Sequence, residues 1–151
     1  MIFRSCAVIV LLGIGLRPLK AQDTAPVHDF VDGIYAWDSN DQADDPLPDE
    51  KVYTPALIHL FHDDQRRAGK GNIGKLDFDP LCSCQDAGGL KYALGPISMS
   101  GFTTSKVTVH LSDSNFSSNI TLFLRRTPKG WRIDDVQTNK IASLRQFLGK
   151  E

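Results

Sequence analysis

The chain has 151 residues, a length that suits one domain around one core, and its 17 Lys+Arg against 18 Asp+Glu leave it almost neutral. It is 41% apolar and 23% charged, with no internal repeat and no low-complexity tract, which excludes a repeat array and leaves a globular domain.

In chain order, the first element is a targeting segment. Arg4 sits in a short basic leader, an apolar run follows from Cys6 to Leu16, and Leu19-Lys20-Ala21 sets a small residue ahead of polar Gln22-Asp23. That order predicts a secretory signal peptide over residues 1–21, cleaved after Ala21, since the apolar run is well short of the roughly 20 residues that span a bilayer. Cys6 stands too early for lipoprotein processing. Cleavage would remove Arg4, Arg17 and Lys20 and no acid, leaving 14 cations against 18 carboxylates, a net charge of −4 on residues 22–151. The expectation is a periplasmic or secreted protein with no membrane insertion after cleavage. Its acidic balance repels nucleic acid and anionic membrane surfaces.

From Pro26 the apolar positions Val27, Phe30, Val31, Ile34 and Tyr35 recur at three and four, which predicts an amphipathic helix ending near Trp37. Residues 38–50 hold six Asp or Glu and two prolines and read as a solvated loop. Thr54 can cap a second helix with Pro55 at its first position, Leu57, Ile58, Leu60 and Phe61 on its apolar face, and Gly69 at its end. The period then changes from helical to alternating. A weak strand covers Lys91 to Met99, Val107, Val109 and Leu111 alternate in a second, and Ile120, Leu122 and Leu124 alternate in a third. Thr127-Pro128-Lys129-Gly130 is a turn into a fourth strand beginning at Trp131. Ser143 and Gln146 form a capping box that starts a last helix with Leu144, Phe147 and Leu148. Residues 22–151 therefore read as a single α+β domain, N-terminal helices packed on an antiparallel sheet of about four strands, with a short C-terminal helix.

With this order, the blocks VYTPAL, LDFDPLCSCQD, GWRIDDV and SLRQFL resemble a family of exported bacterial proteins that share a domain of unknown function. That domain is similar to the nuclear transport factor two-like and cystatin-like α+β superfamily. The resemblance spans roughly Val27 to Leu148 and implies a strongly curved sheet that leaves a cone-shaped pocket. Some superfamily members place Asp, Tyr or His there as acids and bases, while others bind small molecules or dimerise through the sheet.

Five residues are candidates for binding a ligand. Alternation puts Trp131, Ile133 and Asp135 on one strand face, which aims Asp135 at the pocket or its rim; Asp135→Asn would then scarcely alter folding. The competing reading has Asp135 accepting backbone hydrogen bonds in the next turn. Tyr35 and Tyr53 could line the pocket with hydroxyls, although Tyr35 lies on an apolar stripe. Gln85 and Asp86, with Asp77 and Asp79, crowd one loop whose spacing fits no calcium pattern and reads equally as a turn. Cys82 and Cys84 are the cysteines an exported form would keep, and a bridge between residues two apart needs a bent backbone and is easily reduced. Buried thiols or a redox- or metal-responsive pair are the alternatives. His59 and His62 share a helical face with Asp63 and Arg66, but without a third ligand motif they read as a polar face, and neither a metal nor a cofactor is expected.

No Ser-His-Asp order, P-loop or dinucleotide fingerprint occurs. The leading expectation is a non-enzymatic binding or interaction domain for an unknown small molecule or periplasmic protein. The alternatives are a small-substrate acid-base enzyme with Asp135 as base and Tyr35 or Tyr53 as donor, or an immunity or inhibitor protein acting on a toxin or hydrolase.

Overall fold

A computed structural model describes residues 23–38, 48–85 and 89–150. The expected signal peptide, much of the acidic loop and Asp86 lie outside the described residues.

Helix α1 (Ala25–Asp38) follows its apolar spacing: Val27, Val31, Ile34 and Tyr35 are buried and Phe30 half-buried. A single turn, α2 (Asp49–Val52), precedes α3 (Pro55–Ala68). At the start of α3, Thr54 Oγ1 accepts from the Leu57 amide (3.4 Å), and Pro55 occupies the first turn, where its missing N–H costs nothing. Leu57 is buried and Ile58, Leu60 and Phe61 lean on the core.

The chain then builds an antiparallel sheet from β1 (Lys91–Leu94), β2 (Ser98–Ser100), β3 (Thr104–Ser112), β4 (Ser117–Thr127) and β5 (Gly130–Gln137). Its order is β1-β3-β4-β5, with β2 also paired to β3. The weak strand expected over Lys91 to Met99 is thus two short pieces: the Gly95 amide still donates to the Thr108 carbonyl of β3 (2.8 Å), and the ladder parts at Pro96, which has no amide hydrogen. Register across the centre matches Val107 to Leu122, Val109 to Ile120 and Leu124 to Ile133. All six are buried, so alternation fixes which sheet face meets the helices. At Gly130 the backbone turns with φ 103, a value that disfavours any side chain, and β5 begins.

Helix α4 (Leu144–Gly149) closes the core with Leu144 and Leu148. Ser143 Oγ accepts from the Gln146 amide (3.2 Å) at its start, and Arg67 of α3 donates to the Leu148 carbonyl (2.5 Å) at its end. Each fully buried aliphatic side chain contributes about 1.5–3 kcal/mol. The inner sheet face and the three helix stripes therefore hold the fold.

A residue inserted into β5 changes one expectation. Phe123 pairs with Asp135 and Leu124 with Ile133, so Asp134 is the extra residue of a bulge. The next core position after Ile133 is Val136, and Asp135 does not continue the face of Trp131 and Ile133.

Candidate functional site

One backbone contact brings two distant segments together. The Thr54 amide donates to the Ile133 carbonyl (2.9 Å), and Tyr53 forms a parallel bridge with Ile133, so the joint between α2 and α3 lies along the edge of β5. Between this joint and the β4–β5 turn opens a groove of about 360 Å³. Tyr53, Pro55, Ile58 and Pro128 give it an apolar lining, and Glu50, Lys129 and Arg132 stand at the same site. The Tyr53 ring meets Phe61 edge-on at 5.0 Å, which fixes the groove's inner wall. Arg132 is held by donation from Nε to the Glu50 carbonyl (2.7 Å) and from Nη1 to the Trp131 carbonyl (2.6 Å). Its charge is thereby set in place beside the apolar lining. Such a volume and lining fall within the range of small-molecule sites, about 300–1,000 Å³.

Beside this groove lies an ionic cluster that period-two reasoning passed over. The bulged Asp134 accepts from Thr54 Oγ1 (3.0 Å), Arg125 (3.1 Å) and Arg145 (3.2 Å). Burial alone would raise its pKa, but the hydrogen bonds from Arg125 and Thr54 and the charges of Arg125 and Arg145 outweigh it and hold the carboxyl below its usual value. This cluster pins the sheet to the first turn of α3 and to α4. The signal in the sequence was Val136 standing three residues after Ile133, where an unbroken strand would put its next apolar residue at two. Arg125, Asp134, Lys106 and Phe123 also border a second concavity of about 380 Å³ on the sheet's outer face.

The remaining candidates are scattered. Asp135 gives one carboxylate oxygen to the amides of Val136 and Arg145 (both 2.9 Å) and the other to Ser143 Oγ (2.6 Å), so it fastens the N-terminus of α4. Tyr35 is 2% exposed and donates its hydroxyl to the Leu81 carbonyl (2.9 Å), strapping the cysteine loop to α1. Gln85 is exposed and donates to the Asp77 carbonyl (3.2 Å). In the same loop Asp79 accepts from the Leu81 amide (2.7 Å); burial raises its pKa, and that hydrogen bond opposes the shift. Cys82 and Cys84 are bridged, with Cα atoms 5.1 Å apart. His59 lies 3.4 Å from Asp63, and among the described residues no group of three or more His, Cys, Asp or Glu is placed to hold a metal ion. Of the four ligand candidates among the described residues, only Tyr53 reaches the apolar groove.

Among the described residues no helix is long and apolar enough to cross a membrane. No family model and no curated protein matches the chain. Among solved structures it is similar to a phospholipid-binding protein from Ralstonia solanacearum, determined in complex with a phospholipid. The two are 14% identical, with a TM-score of 0.49 over 85% of this chain and 83% of that one.

Proposed function

We propose that this is an exported binding domain whose apolar groove takes a small amphiphile with an anionic head. The observation that carries the reading is the juxtaposition in one 360 Å³ groove of Tyr53, Pro55, Ile58 and Pro128 with the cations Lys129 and Arg132. An apolar body gains about 25 cal/mol for each Å² of surface it buries against the first four residues. An anionic head can reach the two cations, and Arg132 is already oriented by its carbonyl contacts. Export is supported by the residue order of positions 1–21.

Binding is favoured over turnover with Asp135 as base by where the carboxylates of β5 lie, Glu50 being the acid that lines the groove. Asp135 accepts three hydrogen bonds from α4 and its own strand, Asp134 is enclosed by two arginines and a threonine, and neither lines the groove.

Titration with dansyl-labelled undecanoic acid, displaced by dodecanoate, tests the reading. Saturable fluorescence enhancement is expected, with affinity lowered about tenfold or more by Ile58→Asp and weakened by Lys129→Glu. Absence of saturable binding, or an affinity unchanged by Ile58→Asp in a protein that keeps its far-ultraviolet spectrum, overturns it.

A further inference from the structure

The two sulfurs of the Cys82–Cys84 bridge stand in different surroundings. Cys82 is completely buried, whereas Cys84 is half-buried at the edge of the core. The Cys84 amide donates to Cys82 Sγ (3.1 Å), so a charge arriving on that sulfur meets a hydrogen-bond donor already in place. The bridge encloses Ser83 alone, at φ 60 in the left-handed region. This backbone has supports besides the disulfide: the Asp79 amide donates to the Cys84 carbonyl and the Ser83 amide to the Asp79 carbonyl (both 2.8 Å), and Ser83 Oγ donates to Asn139 Oδ1 (2.7 Å). Tyr35 secures the same loop through Leu81. When the bridge opens, these contacts keep the two sulfurs facing each other.

We propose that Cys82–Cys84 is a thiol–disulfide exchange site for a small thiol, in which Cys84 is the sulfur attacked and Cys82 the leaving and resolving thiolate. An incoming thiolate places its electron pair on Cys84 Sγ, the bond between the two cysteines breaks, and its electron pair departs on Cys82 Sγ. The Cys84 amide, already hydrogen-bonded to that sulfur, is in place to stabilise the departing anion. From this mixed disulfide two paths lead on. Cys82 re-attacks Cys84 and expels the small thiolate, with no net oxidation. Alternatively, a second small thiolate attacks the sulfur of the first, forming the small disulfide and expelling the Cys84 thiolate. Two protons then complete the Cys82 and Cys84 thiols, so two small thiols are oxidised for each bridge reduced. The half-buried entry to Cys84 suits a small thiol.

The test uses the whole wild-type chain and 2-mercaptoethanol as the probe. After brief exposure, an acid quench and peptide mapping read which cysteine carries the adduct. Mixed disulfide on Cys84 is expected to exceed that on Cys82 about tenfold or more, as differential access to the two sulfurs requires. In Cys82→Ser, the remaining Cys84 should take up the probe from its symmetric disulfide, while in Cys84→Ser the buried Cys82 should react only after denaturant is added. Equal adducts on both cysteines, preferential attack on Cys82, or a bridge that stays closed at millimolar probe would overturn the proposal. The wild-type mapping decides even where a variant fails to fold.

Discussion

Replacing Asp135 by alanine should weaken the fold at one identifiable joint. The carboxylate accepts from Ser143 Oγ at 2.6 Å and from the Arg145 amide at 2.9 Å, and these are the groups that open α4. Its third bond, from the Val136 amide, is local to the strand. Alanine leaves the Arg145 amide without its acceptor in a half-buried place, while Ser143 continues to cap the Gln146 amide. Loss of one capping acceptor costs about 1 kcal/mol, and a hydrogen bond to a charged group is worth about 1.5–3 kcal/mol. A total of about 2.5–4 kcal/mol is therefore expected for Asp135→Ala. Asparagine can keep one oxygen for the two amides and turn its amide toward Ser143, so Asp135→Asn should cost about 1 kcal/mol. With a urea dependence of about 1.5 kcal/mol per M, the unfolding midpoint should fall by about 1.7–2.7 M and about 0.7 M respectively. Tryptophan fluorescence from buried Trp131 can follow the transition. Midpoints within about 0.3 M of wild type for both variants would refute the assignment of Asp135 to the helix joint and return it to the list of ligand residues.

Two further perturbations probe packing and charge. A Cβ at Gly74 would collide with Asp64 Oδ2, which accepts from the Leu76 amide, so Gly74→Ala should destabilise by about 2–4 kcal/mol; a denaturation midpoint equal to wild type would show that Asp64 can move at no cost. The carboxyl of Asp134 has its folded pKa depressed, so the stability it contributes is complete above its unfolded value of 3.8 and is lost as pH falls through the lower folded value. The midpoint gap between wild type and Asp134→Asn should accordingly be full at neutral pH and shrink below about pH 4, whereas a gap constant across that range would contradict the ionic role.

Much of the fold could be read where local chemistry and tertiary packing agree. Thr54 and Ser143 cap the helices that the sequence assigns to them, and the alternating residues of β3 and β4 face the core. The reading slipped at Asp134, because one inserted residue reverses every later side chain of a strand and no propensity marks it. The groove was legible only in Tyr53. Its other walls come from the Thr127–Gly130 turn and from the start of α3, far apart in sequence and joined by the contact of Thr54 with Ile133. Such a meeting is set by topology, which local spacing cannot reveal.

The two margins of the sheet bear on how copies of this domain meet. Along β5, the Thr54 amide occupies one carbonyl and the bulge at Asp134 breaks the rhythm of the rest. On the far side the ladder is split between β1 and β2, and Pro96 contributes no amide hydrogen. Neither rim offers a straight, unbroken template on which another chain could crystallise strand by strand. Among the described residues, both margins of the sheet are therefore poor templates for strand-by-strand growth.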